Sequence, residues 1–262
     1  MQPLLFGKNS FKLKKLKRIM NKISKKFFII FIIEIWFIFY PIFYANCREN
    51  KIKLFYEIYY GPFKVGKSEI QILSNKYTAI VYSVGLAKLI FPFYAKWETW
   101  VDKEGYPQKV IVYSKERGKE RKRLIYFKKE ENKIIYQKLL PKYKSPENIF
   151  LEFPIYDELS SFITSFYIDY NKYPQIKLPL YIKKNKEYVK IKFRKKIDCE
   201  FKKENKKCLD IRVYLPKKSE LLKRSSKVEI LLLENEKVPL KLKGKLPIFG
   251  SLVGKLRKII YF

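Results

Sequence analysis

Residues 53–73 read KLFYEIYYGPFKVGKSEIQIL, two runs of alternating character interrupted by Gly61-Pro62. A period of two sends successive side chains to opposite faces of an extended chain. A turn pair between two such runs therefore predicts a β-hairpin. The pattern continues to the C-terminal part of the chain. Residues 77–83 read as a strand, and 95–101 and 108–114 flank Asp102-Lys103-Glu104-Gly105. That tetrapeptide has Asp first and Gly fourth, as a type I turn prefers. Residues 121–128 and 133–140 flank Glu130-Glu131-Asn132, and further strands are expected over 175–182, 188–193, 196–201, 209–215, 228–233 and 238–242. Short strands at hairpin spacing, with no fixed-period repeat, indicate an antiparallel sandwich or barrel.

One segment has a different period. Leu159, Phe162, Ile163, Phe166, Tyr167 and Tyr170 follow the i, i+3, i+4, i+7, i+8, i+11 spacing of a helix, with Ser160, Ser161, Thr164, Ser165 and Asp169 between them. This predicts an amphipathic helix over 157–170, with Asp157 as its N-cap, covering one end or face of the sheet.

Upstream of the strands, Lys8, Lys12, Lys14, Lys15, Lys17, Arg18, Lys22, Lys25 and Lys26 precede an apolar run at 27–45. A basic region followed by an apolar one reads as a bacterial secretory signal or membrane anchor, and the positive-inside rule places everything after Ala45 outside the cytoplasm. The expected organisation is a leader over 1–46 and an exported, periplasmic β-domain over 47–262. Met20 opens a segment resembling a more usual signal start than Met1. The fate of the leader has three readings. Cleavage after Ala45 has a small residue at −1 and a bulky one at −3. An uncut anchor must bury Glu34, at about 2.5–3.5 kcal/mol by comparison with other charged residues, and accommodate Pro41. Lipidation of Cys47 lacks the usual flanking residues.

The 262 residues carry 58 Lys+Arg against 25 Asp+Glu, a formal net charge of +33. Subtracting the nine leader cations and the single acid Glu34 leaves +25, so basicity belongs to the exported part as well. Such a charge suits an anionic membrane surface, an acidic envelope polysaccharide or the head of an amphiphile. AT-rich coding is an alternative source of scattered lysines. Nucleic acid is disfavoured: the basic run KERGKERKR at 115–123 is interrupted by acids, has Gly118 as a turn tip, and lies in an exported chain.

Histidine is absent, which removes His-based triads, His general acid–base catalysis and most familiar zinc sites. Three cysteines are too few for a thiolate metal centre. Asp102, Glu104, Asp157 and Glu158 are the acids to consider for acid–base work, but all fall in turns or at a helix start, where such residues are structural by default. No catalytic residue, metal or cofactor is expected. Cys199 and Cys208 sit symmetrically about Lys203-Glu204 in a polar hairpin turn, and outside the cytoplasm they are expected to form a disulfide. Residues 86–94, LAKLIFPFY, are too apolar for a solvated loop; they read as a buried connector, a pocket lining or a membrane contact. Leu89, Phe91, Phe93, Phe162 and Phe166 are the side chains expected to line an apolar ligand groove between this segment and the helix.

Several stretches together resemble the family called domain of unknown function 3108. They are Tyr56-Glu57-Ile58 with Val65-Gly66-Lys67, Gly85-Leu86 leading into WETWVDKEGYP at 97–107, RKRLIYF at 121–127, Asp157-Glu158-Leu159-Ser160-Ser161, Cys208, and Val238-Pro239-Leu240 followed by Gly250. The resemblance implies a single curved antiparallel sheet or rolled β-barrel or half-barrel, similar in outline to periplasmic lipid carriers, with no assigned activity. The chain departs from the pattern at 164–170, where an arginine is expected. The resulting expectation is a non-enzymatic envelope protein that shelters an apolar or amphiphilic ligand. The alternatives are a filled scaffold held at a membrane surface by charge and, third, a hydrolase.

Overall fold

The computed structural model describes residues 51–216, 227–245 and 250–262. The leader readings at 27–45 and Cys47 lie outside them. Among the described residues, β1 (Ile52–Tyr60), β2 (Phe63–Ile72), β3 (Lys76–Ser83), β4 (Phe93–Val101), β5 (Pro107–Glu116), β6 (Lys119–Lys128), β7 (Lys133–Leu140) and β8 (Glu147–Phe150) form one meander. A second comprises β9 (Gln175–Ile182), β10 (Asn185–Phe201), β11 (Glu204–Tyr214), β12 (Lys227–Leu233), β13 (Pro239–Lys245) and β14 (Ser251–Tyr261). Antiparallel pairing of β1 with β14 joins them into one 14-stranded sheet whose edges are β8 and β9.

The connector between those edges shows how the sheet rolls. Leu151 N donates to Asn132 O at 2.9 Å, beside β7, while Tyr156 N donates to Pro179 O at 2.9 Å on β9. Tyr181 N returns a bond to Tyr156 O at 2.8 Å, so Tyr156 makes a parallel bridge with Leu180. The chain from residue 151 to 156 spans at most about 18 Å when extended. Edges at opposite ends of a 14-strand order can be linked so briefly only if the sheet curls back on itself. It stays open, because no β8–β9 ladder closes it.

The helix that follows, α2 (Glu158–Thr164), comes after α1 (Leu86–Ile90) in chain order and packs against β3, β4 and β9 inside the roll. Leu159, Ile163, Phe166, Tyr170, Leu178 and Leu180 join Ile52, Leu54, Tyr56, Ile70 and Ile72 in the main core. A smaller core collects Val110, Val112, Ile125, Phe127, Ile134, Ile155 and Tyr181.

Several expectations change. The helix ends at Thr164 rather than 170, because Ser165 Oγ donates to Phe162 O at 2.6 Å and Asp169 forms a turn by accepting from Asn171 N at 3.1 Å. Phe166 and Tyr170 nevertheless stay buried, so their helical spacing reflects burial and not helix. The strands expected at 188–193 and 196–201 are one strand, β10, whose register with β11 shifts at Arg194. An extra residue there makes a bulge, which interrupts alternation without turning the chain. Strands β8 and β14 were not legible, and 86–94 is not a buried connector: Leu86, Leu89 and Ile90 are 75–80 % exposed.

Cys199 and Cys208 are joined by a disulfide, with Cα atoms 6.0 Å apart. The turn centre is Lys202-Lys203, both at positive φ, and not Lys203-Glu204. Cys199 therefore pairs with Lys206 and Ile197 with Cys208, so the bridge runs diagonally across β10 and β11. A closed loop of about ten residues stabilises by about 2–3 kcal/mol in the chain-entropy model. Cys199→Ser should lower the melting temperature by about 5–10 °C, and reductant should do the same to the wild type. Melting that is insensitive to both would count against a structural role.

Candidate functional site

Strand register sets side chains in rows across the inner face of the sheet. One row is Ala79, Trp97, Val112, Arg123 and Lys138; the next is Tyr77, Thr99, Val110, Ile125 and Tyr136. The start of α2 (Asp157, Glu158) and the end of β9 (Tyr181, Ile182) also border this region, and the β9–β10 turn adds Lys183 and Lys184. From these rows Trp97, Val110, Val112, Arg123, Ile125 and Tyr136, with the groups from α2, β9 and the β9–β10 turn, line a cavity of about 200 Å³. Its apolar part is Val110, Val112, Ile125 and Ile182, and its solvent side carries the exposed Lys183 and Lys184 with half-buried Arg123.

The positions follow from local sequence. Asp157 caps α2: its carboxylate accepts from Leu159 N at 3.2 Å and Ser160 N at 3.1 Å, and Asp157 N in turn donates to Ser160 Oγ at 3.1 Å. This is a capping box with Ser at the third helical position. Thr99 Oγ1 donates to the same carboxylate at 2.9 Å, tying the helix start to β4. Burial raises the Asp157 carboxyl above its ordinary value against the opposing pull of these hydrogen bonds. Burial likewise pushes the Tyr181 hydroxyl up. Trp97, which also borders the cavity, keeps its indole N–H buried without a hydrogen-bond partner among the described residues. Buried polar groups are normally paired, so a donor left unpaired beside a cavity is an exception to that rule.

Two of the other candidate acids, Asp102 and Glu104, have structural partners, while Glu158 is buried at the cavity wall. Asp102 accepts from Glu104 N at 2.8 Å and Tyr106 N at 3.0 Å in its turn, and Glu104 meets Lys129 at 3.2 Å on the surface. Glu57 is held near a pKa of about 2, first by the hydrogen bond from Lys64 and then by those from Tyr59 and Arg257, in an exposed node joining β1, β2 and β14. Among the described residues no group of three His, Cys, Asp or Glu gathers for a metal.

None of the five residues expected to line one groove borders this cavity. Leu89 is 80 % exposed on α1, Phe91 lies under the Arg117 guanidinium at 4.6 Å, and Phe93 opens β4. Phe166 is 1 % exposed in the main core, and Phe162 packs edge-on against it with ring centroids 4.7 Å apart. The cavity is built instead from Trp97, Val110, Val112, Ile125, Tyr136 and Tyr181. Their signal in the sequence was alternation within strands already expected; which strands face each other across the roll was not written there.

The family model described as "Protein of unknown function (DUF3108)" matches residues 56–257. No curated protein sequence matches the chain. Among solved structures, the chain is similar to a β-barrel-like protein of domain of unknown function DUF1849 from Brucella abortus, at 10 % identity and a TM-score of 0.58, covering 82 % of this chain and 99 % of that one. At that identity the likeness concerns the fold. A DUF1089 family protein from Pseudomonas aeruginosa matches at 9 % identity, 72 % of this chain, 92 % of the other and a TM-score of 0.37. A DUF1329 family protein from Desulfovibrio piger matches at 9 % identity, 83 % and 87 % coverage and a TM-score of 0.25.

Proposed function

Because this chain belongs to the DUF3108 family of proteins of unknown function, with a rolled, barrel-like sheet, we propose that it is an exported, non-enzymatic binding protein of the cell envelope. Its ligand is a small amphiphile, with a short apolar body in the cavity and an anionic head at Arg123, Lys183 and Lys184. The observation that carries this reading is the cavity beside the unpartnered Trp97 indole. Its volume of about 200 Å³ exceeds the roughly 150 Å³ that admits benzene in an engineered apolar cavity. It falls below the roughly 300–1,000 Å³ of most ligand pockets. One ring or a medium-length acyl chain fits this reading, and a whole phospholipid does not. Export is supported by the one-sided charge around 27–45.

Calorimetric titration with octanoate tests the reading. Saturable binding that survives about 0.5 M salt, where exposed charges are screened, is expected. Val112→Trp, which fills the cavity, should abolish it, and Lys183→Glu with Lys184→Glu should weaken it about tenfold, or ~1.4 kcal/mol. The lysines are exposed, so the second variant keeps the fold if the first does not. Binding that vanishes with salt and ignores Val112→Trp would replace this reading with the charged scaffold.

A further inference from the structure

Strand direction alternates along the sheet, so the β1–β2 turn, α1, the β5–β6 turn and the β9–β10 turn lie at one end of it. At that end the surface is unusually apolar. Leu86, Leu89 and Ile90 are 75 %, 80 % and 79 % exposed on α1, and Phe63, on the strand against which α1 packs, is 69 % exposed. Each is a large side chain, and α1 buries none of its own residues. Single exposed hydrophobics are ordinary, but three on one five-residue helix with a fourth beside it mark a contact surface.

The charge around the tip selects the partner. Residues 61–64, 84–93 and 115–120 contribute Lys64, Lys88, Lys115, Arg117 and Lys119 against Glu116 and Glu120. Lys64 is paired with Glu57 and Lys115 with Glu120, which leaves Lys88, Arg117 and Lys119 to set the sign of the tip. Lys88 sits between the exposed aliphatics, and Arg117 covers the Phe91 ring while its N–H bonds Pro92 O at 3.0 Å, fixing the β5–β6 turn against the tip. Apolar side chains ringed by cations match the boundary of a bilayer, where acyl chains lie beneath anionic headgroups. A protein groove would not require the surrounding positive charge. With five residues α1 is far shorter than the roughly 20 that span a bilayer, so its contact with lipid is interfacial.

We propose that α1, with Phe63, is a docking tip that inserts Leu86, Leu89 and Ile90 into an anionic lipid surface while Lys88, Arg117 and Lys119 meet the headgroups. Lys183 and Lys184 share this end, so docking turns the solvent side of the cavity toward the lipid. The inference stands whether or not the cavity binds a ligand, since the tip lies outside it.

Hydrogen exchange of the full chain on vesicles tests it, because a local readout at 86–91 is separate from any attachment through the leader. On vesicles of mixed phosphatidylglycerol and phosphatidylcholine, amides of 86–91 should exchange about tenfold more slowly than in neutral phosphatidylcholine, a change of ~1.4 kcal/mol in local opening. Leu89→Asp with Ile90→Asp should remove that protection and leave the exchange of β1–β4 unchanged. Absence of protection on the anionic vesicles, or protection that persists in the double variant, overturns the proposal. So does vesicle-free self-association abolished by the same substitutions, which would make a second copy of the chain the occupant.

Discussion

Leu180→Ala should cost about 3 kcal/mol of stability, within the range of about 2–5 kcal/mol for truncating a buried leucine. Leu180 is 0 % exposed on β9 and is the residue bridged by Tyr156, where the connector from β8 meets the opposite edge. Its neighbours belong to the main core, and Tyr181 beside it belongs to the smaller one. The truncation therefore opens a void at the place where the roll is sealed. Both flanking peptide groups are already committed to hydrogen bonds with Tyr156, so the backbone has little freedom to collapse into it. At about 2–4 °C per kcal/mol for a domain of this size, the melting temperature should fall by about 6–12 °C. Reversible denaturant unfolding gives the free energy directly. A loss below about 1 kcal/mol would mean that the site relaxes around the void and that the seal lies elsewhere.

Removal of the Asp157 carboxylate should be of similar size. Asp157→Ala deprives Leu159 N and Ser160 N of their acceptor and leaves the fully buried Thr99 hydroxyl without one. A lost cap costs about 1–2 kcal/mol and a stranded buried hydroxyl about 1–3 kcal/mol, so a total near 3 kcal/mol is expected. Asp157→Asn keeps a carbonyl that can accept the same N–H groups, and should cost much less. The pH dependence has a definite sign. Burial raises the folded-state carboxyl above its ordinary value of 3.8, so between that value and the raised one the folded protein binds more protons than the unfolded chain. Stability contributed by this group is therefore greatest at or below 3.8 and is lost as pH rises through the folded value. The wild type should gain on Asp157→Asn as pH is lowered through that window. Parallel profiles would show that the carboxylate's hydrogen bonds cancel the effect of burial. Since Asp157 and Leu180 both anchor the β8–β9 connector, the double substitution should cost less than the two single costs added together.

Local sequence determined most of the strands, because a side-chain period of two and turn pairs such as Gly61-Pro62 need no distant partner to act. It also determined the cap at Asp157, since a carboxylate three residues before its reciprocating serine satisfies the first helical N–H groups wherever the helix lies. Burial at Phe166 and Tyr170 was legible too, although the helix predicted to carry it was too long: a hydrophobic period reports which residues face the core, and Ser165 and Asp169 decided locally that the backbone would turn. Tertiary structure alone decided the rest. That β1 pairs with β14, and that Tyr156 reaches β9, depend on contacts between residues far apart in the chain. Those contacts place Tyr181 opposite Val110 and Ile125, and so create the cavity. Among the described residues, the same long-range packing left no covering element over Leu86, Leu89 and Ile90, which the sequence marked only as apolar. Apolar character states a preference for leaving water; whether a core or another surface meets it is settled by where the whole sheet rolls.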